Sequence, residues 1–88
     1  MDRISTIVFY FAKWEPSCDV VMEVLKKVET IYQDRVAFVY KDVDQLGLHN
    51  NFQMIPAICF ERDSKVLYKH IGLITKDNLI HLIDTYLL

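Results

Sequence analysis

The spacing of hydrophobic positions changes along the chain, and each change marks a new element. Ile4–Ala12 contains the apolar run Ile-Val-Phe-Tyr-Phe, which is typical of a strand buried on both faces. Pro16 suits the first turn of a helix. After it, apolar residues recur at the spacing of a helix that packs on one side: Val21, Val24, Leu25, Val28, Ile31 and Tyr32. The pattern therefore predicts a strand followed by a helix over Pro16–Gln33.

Three further strands and a second helix are predicted in the rest of the chain. The strands are indicated by their β-branched and aromatic composition: Val36–Lys41, Ala57–Glu61 and Lys65–Ile71. Only three polar residues separate the last two, which predicts a hairpin. The polar segment Asp42–Asn51 leaves room for at most a short helix that begins near Asp44. Thr75 is a good N-cap for the final helix, whose apolar stripe continues to the chain end.

The order of these elements predicts an α/β fold with a four-stranded mixed sheet. The first strand–helix–strand unit is expected to be a right-handed parallel crossover, and the hairpin is expected to run antiparallel to it. Because each long helix has one apolar stripe, we expect the two helices to cover opposite faces of the sheet. No repeat or linker interrupts the pattern, which predicts a single domain over residues 1–88.

Composition and charge narrow the range of functions. The chain is 52% hydrophobic and 25% charged, with a net charge of −2, as in an ordinary globular domain. It lacks the basic footprint of nucleic-acid-binding proteins, and no apolar run approaches the roughly 20 residues of a membrane span. Two cysteines are too few for a disulfide framework, and the three histidines have no ligand spacing. We therefore expect a cytoplasmic protein with no metal, cofactor, nucleic acid or membrane partner.

The junction between the first strand and the first helix contains the residues of greatest chemical interest. Residues 12–18 have the sequence Ala-Lys-Trp-Glu-Pro-Ser-Cys, and Ile55-Pro56 precedes the third strand. This ordered set resembles the thioredoxin superfamily, in which Ala-x-Trp-Cys-x-x-Cys opens a long helix and a cis-proline precedes the hairpin. Asp42-Val43-Asp44 and Gly72 also match family positions. The resemblance implies a thioredoxin-like fold without the family's usual extra N-terminal strand and helix.

The differences from the family pattern concern redox chemistry. Glu15 stands where active members have the attacking cysteine, and a carboxylate cannot form a mixed disulfide. Cys18 matches the second, resolving cysteine, while Phe9 occupies the position of a buried acid that helps to move protons in many members. The resemblance therefore implies a thioredoxin-fold protein without dithiol oxidoreductase activity.

Three functions are compatible with these residues. The first, which we favour, is binding of a peptide or protein through a degenerate site made of five residues: Trp14, Glu15, Pro16, Ile55 and Pro56. The resemblance implies that backbone beside the proline pairs with an extended segment, as in strand addition. The second function is single-thiol chemistry with glutathione or a substrate thiol, in which Cys18 is catalytic. The third is a structural module that forms a homo-oligomer through an exposed strand edge.

The same residues also have purely structural interpretations. Glu15 is an acid at a helix start, where the helix dipole favours it by about 0.3–1 kcal/mol. Cys18 and Cys59 are small apolar residues that suit a core, and no disulfide between them is expected in a reducing compartment. If the Cys18 thiol is buried, we expect desolvation to outweigh the helix dipole and keep it protonated.

Overall fold

The computed structural model describes residues 4–47 and 54–88. Its elements appear in the predicted order: β1 (Ser5–Phe11), α1 (Pro16–Tyr32), β2 (Ala37–Asp42), β3 (Ala57–Arg62), β4 (Lys65–Ile71) and α2 (Lys76–Tyr86). The predicted bounds of the first helix and of the strands after it differ from these by at most one residue at either end. Within the described residues, no helix is long and apolar enough to cross a membrane.

The four strands form one mixed sheet in the order β2-β1-β3-β4. β1 runs parallel to β2 and antiparallel to β3, and β3 pairs with β4 as a hairpin. The predicted sheet and its crossover helix are therefore confirmed. The hairpin turns through Asp63 and Ser64, whose φ angles of 54° and 68° match the turns that suit the twist of a two-residue hairpin.

Alternate side chains of the central strands β1 and β3 form one strongly apolar face of the sheet. Ile7 lies opposite Phe60 and Phe9 lies opposite Ile58, while Phe9 also lies beside Tyr40 of β2. Because residues two apart in a strand point to the same side, all five side chains share this face. Four of the five are essentially inaccessible to solvent: Ile7, Phe9, Ile58 and Phe60.

Both long helices pack on this same apolar face. The hydroxyl of Tyr40 donates to Glu29 of α1 at 2.6 Å, and the ring of Tyr86 of α2 lies 6.5 Å from that of Phe60. The expectation that the helices cover opposite faces is therefore wrong. An apolar stripe shows that a helix buries one side, but it carries no information about which face of the sheet receives it.

The opposite face of the sheet is covered by neither α1 nor α2. It carries Val8 and Cys59, which lie opposite each other in β1 and β3, and the exposed Val39 of β2. The segment after β2 forms turns over residues 43–47, so the described part contains no short helix at the predicted position near Asp44. The rest of that predicted helix lies outside the described residues.

Candidate functional site

Glu15 begins helix α1 as its N-cap. Its backbone is extended, and its Oε1 accepts from the Ser17 amide at 3.2 Å and from the Ser17 hydroxyl at 2.9 Å. These bonds satisfy one of the backbone donors that every helix leaves unpaired at its start. Pro16 follows at the first helical position, where the missing N–H costs nothing. Glu15 therefore has a structural task at the start of α1.

The structure places Cys18 inside the core. Only 1% of its surface is accessible, and it packs among Phe9, Val21 and Leu25. Burial raises the pKa of the thiol, the nearby negative charges of Glu15 and Asp19 raise it further, and a backbone hydrogen bond at Ala12 opposes them. The thiol is thus protonated at neutral pH, in the environment where structural rather than reactive cysteines are found.

Trp14 lies at the surface beside this helix start. Its side chain is 60% exposed, and its indole Nε1 donates to Asp44 Oδ2 at 2.8 Å. The Asp44 amide in turn donates to Asp42 Oδ1 at 2.9 Å. The sequence had marked the Asp42-Val43-Asp44 segment only as a family match; the structure shows that it holds the indole in one orientation.

The loop before β3 is joined to the loop after β4. The Ile55–Pro56 peptide bond is cis, Pro56 is buried, and its carbonyl accepts from the Gly72 amide at 2.9 Å. Gly72 has a φ of +95°, a conformation that other residues adopt only with strain. Leu73, the next residue, is 61% exposed.

A groove lies between the loop after β4 and helix α1. Its volume is about 330 Å³, and it is lined by Val20 of α1 together with Leu73, Ile74, Thr75 and Asn78. The groove is not predictable from sequence, because Val20 lies outside the helix's apolar stripe and Leu73 lies in a loop. Their one sequence signal is that both are apolar residues outside the predicted apolar stripes and strands.

The predicted site residues therefore fall into two separate segments of the chain. Trp14, Glu15 and Pro16 form the start of α1, whereas Ile55 and Pro56 form the approach to β3. The hydrogen bond between Pro56 and Gly72 joins the loop before β3 to the loop after β4. The groove lies between the loop after β4 and α1. We use the name degenerate-motif surface for the five predicted residues plus Val20 and Leu73.

Other candidate chemistry does not gather in the described part of the chain. Residues 4–47 and 54–88 contain no group of three or more metal-ligating side chains. His70 and His81 line one surface pocket although they lie in different elements, and His70 Nε2 donates to the Leu73 carbonyl at 2.9 Å. His49 lies outside the described residues. Cys18 and Cys59 are both free.

Comparisons with known proteins agree with this architecture. The thioredoxin family model matches residues 2–85. The structure of a thioredoxin-2, described as a component of malaria parasite protein secretion machinery, is 22% identical, with a TM-score of 0.84 over 97% of this chain and 85% of its own. A structure described as a malarial protein is 23% identical, with a TM-score of 0.83 over 97% and 99%. No curated protein matches the chain.

Proposed function

The chain belongs to the thioredoxin family, and we propose that it binds a peptide or protein through the degenerate-motif surface without acting as a dithiol oxidoreductase. The observation that carries the proposal is the contrast between two neighbours at the start of α1. Trp14 is exposed and oriented by Asp44, whereas Cys18 is almost completely buried. The exposed indole is therefore accessible to a partner, whereas the buried thiol is not.

A dithiol cycle needs two thiols that attack and resolve in turn. Glu15 supplies a carboxylate at the first position, and it is hydrogen-bonded to Ser17. Cys59 does not substitute for the missing thiol, because it lies in β3 on the sheet face that α1 does not cover. These contacts support a protein that does not exchange disulfides by the usual family route.

Single-thiol chemistry at Cys18 is less well supported than binding. A nucleophilic thiol needs access and a lowered pKa, whereas burial raises the pKa of Cys18 and two carboxylates add to the rise. The helix start would favour a thiolate, but the desolvation of the buried thiol is the largest effect on its pKa. Binding through exposed side chains needs no such rearrangement.

The binding proposal is tested by removing the exposed indole. Peptides are first selected on the wild-type protein from a displayed random library, and their affinities for Trp14→Ala are then measured. We expect a loss of roughly tenfold or more, since exposed aromatic side chains often dominate binding. Val66→Ala is the matched control, because Val66 is an exposed apolar residue of β4. Equal losses in the two variants, or no selectable peptide, would contradict the proposal.

The absence of dithiol activity is tested separately. Wild-type protein should not accelerate reduction of insulin disulfides by dithiothreitol, and Cys18→Ser should behave in the same way. Glu15→Cys restores the Cys-x-x-Cys spacing, and we expect it to gain a low activity that disappears in the double variant with Cys18→Ser. Measurable wild-type activity that Cys18→Ser abolishes would favour single-thiol chemistry instead.

Assembly through a strand edge is a second candidate. β2 is an outer strand of the described sheet, and Ala37 and Val39 on it are exposed. Such an edge can pair with another chain. Light scattering of the wild type and of Val39→Lys would test it: a dimer that the lysine dissociates favours assembly, and a concentration-independent monomer excludes it.

A further inference from the structure

We infer that a pocket between β4 and α2 binds a divalent transition-metal ion such as zinc or copper, with His70 and His81 as its protein ligands. The pocket, which we call the two-histidine pocket, is lined by Tyr68, His70, Asn78, His81 and Leu82. The inference goes beyond the proposed binding of a peptide or protein and does not depend on it. It replaces the expectation from sequence spacing, because spacing along the chain does not show a pair of ligands that only tertiary packing brings together.

The fold brings the two histidines to the same space. His70 lies opposite Ile58 of β3, and therefore on the face of the sheet that α2 covers. Asn78 and His81 stand at positions i and i+3 of α2, so they share one face of that helix. The pocket that these residues line has a volume of about 260 Å³, which is room for an ion with water ligands between the strand and the helix.

A hydrogen bond prepares His70 to act as a ligand. Its Nε2 lies 2.9 Å from the carbonyl oxygen of Leu73, and because a carbonyl oxygen only accepts, this nitrogen carries a proton. In the neutral imidazole the other nitrogen, Nδ1, then has a free lone pair. Histidines that bind metals almost always donate their second ring nitrogen to a carboxylate, a backbone carbonyl or water, which fixes the ring and makes the ligand more basic. His70 has this supporting bond.

His81 supplies the second imidazole. It is exposed in α2, and its backbone carbonyl, not its ring, accepts from the Thr85 hydroxyl. Within residues 4–47 and 54–88 no hydrogen bond or ion pair engages the His81 ring, so its nitrogens are available to an ion. Asn78 lines the same pocket and its side-chain oxygen can act as a third ligand, with water at the remaining positions.

The donor set determines which ion fits. Imidazole suits zinc, copper and nickel, whereas magnesium and calcium prefer oxygen ligands. Structural zinc sites take four protein ligands, and the described residues contain no group of three or more His, Cys, Asp or Glu side chains that could form one. Two imidazoles leave positions open for water. We therefore expect reversible binding at micromolar concentrations of the ion.

The test is a zinc titration of the full chain, followed by calorimetry and by the imidazole proton signals in NMR spectra. We expect binding at micromolar zinc, with simultaneous shifts of the His70 and His81 signals, and no shift with magnesium at the same concentration. His81→Gln changes an exposed position and should keep the fold. It should weaken zinc binding by roughly tenfold or more, as should His70→Gln.

Three further variants are controls. His49→Gln removes the third imidazole of the chain, and Cys59→Ser removes a thiol; both should bind zinc as the wild type does. Trp14→Ala should also bind zinc normally, which separates this site from the degenerate-motif surface. Unchanged affinity in His81→Gln, shifts confined to one imidazole, or an equal loss in His49→Gln would overturn the proposal. Binding only at millimolar zinc would also overturn it, because it would indicate an adventitious ion only.

Discussion

The two cysteines are both buried, yet they lie in regions with different electrostatics. Cys18 belongs to the core between the helices and the sheet, with 1% of its surface accessible, while Cys59 lies on the opposite sheet face with 6% accessible. Burial raises the pKa of both thiols. At Cys18 a backbone hydrogen bond at Ala12 lowers the pKa while Glu15 and Asp19 raise it further; at Cys59 Lys69 lowers the pKa and Glu61 raises it.

The charges around the thiol at the start of α1 therefore differ from those around the thiol in β3, although burial raises the pKa of both. In a dithiol member of the family, the helix start that carries the motif is where the chemistry takes place. Here that helix start contains two carboxylates and a buried thiol, while the Cys59 thiol lies near one lysine and one glutamate. A thiol is therefore judged by its burial and neighbouring charges rather than by its place in a motif.

The largest effect is expected from the apolar face that surrounds Cys18. Phe9 is fully buried there and packs against Phe11 and Tyr40. Phe9→Ala should lower the free energy of unfolding by about 3–5 kcal/mol, as measured by urea denaturation. Val8→Ala, one residue earlier on the face without a long helix, should cost clearly less. Equal losses would mean that the two faces are packed equally well.

The second effect is a loss of stability at alkaline pH, to which buried groups on the helix side contribute. Burial raises the pKa of Cys18 above its ordinary value of 9.0, and burial with hydrogen bonds to Asp84 and Glu29 raises those of Tyr32 and Tyr40 above 10.0. Because each folded pKa is raised, the unfolded state loses protons first, and stability present below pH about 9 falls as the pH rises.

This pH dependence is measured by urea denaturation between pH 8 and 11. Tyr40→Phe should flatten the upper part of the decline, and Cys18→Ala should flatten the part that begins near pH 9, by at most about 1.4 kcal/mol per pH unit for one group. Cys59→Ala is the comparison for a thiol whose neighbouring lysine offsets part of the rise. A stability that is constant up to pH 11 would contradict the assignment of raised pKa values to these groups.

The third effect compares the two thiols directly. Single-thiol proteins are made with Cys18→Ser and Cys59→Ser, and the rate of iodoacetamide labelling is followed by mass spectrometry from pH 7 to 10. We expect both native thiols to react more slowly than in urea, and Cys18 to be the slower of the two. Faster labelling of Cys18 at neutral pH would show that the helix dipole outweighs its burial and the two acids.

Much of this comparison could be predicted from the sequence, because it depends on local patterns. The run from Ile4 to Ala12 and the stripe after Pro16 define β1 and α1, and the spacing from Trp14 to Cys18 resembles that of the thioredoxin family. The position of Glu15 at a helix start is predicted from sequence and is confirmed by its role as N-cap of α1. Each of these inferences uses residues within a few positions of one another, where geometry follows from periodicity.

The parts that sequence could not provide depend on contacts between distant segments. The Trp14–Asp44 hydrogen bond spans 30 positions, and the groove brings Val20 beside Leu73. The placement of both helices on one face was mispredicted for the same reason, since the stripe of α2 is equally compatible with either face. Tertiary packing, which no local pattern records, decides all three.

The smallest effect is expected from substituting Glu15. This substitution tests whether the carboxylate charge contributes to the raised pKa of Cys18. Glu15→Ala removes the side chain that accepts from Ser17 and should cost about 0.5–1 kcal/mol of stability, near the lower end of the range for helix caps. It also removes a negative charge that acts on Cys18. The pKa of Cys18 should therefore fall and its labelling at a given pH should accelerate, while Cys59 labelling stays unchanged.

Asp19→Asn separates the two consequences, because it removes a second such charge without removing the cap. If both variants accelerate Cys18 and only Glu15→Ala is destabilised, charge rather than local opening controls the thiol. Acceleration in Glu15→Ala alone would instead assign the effect to fraying of the first turn of α1.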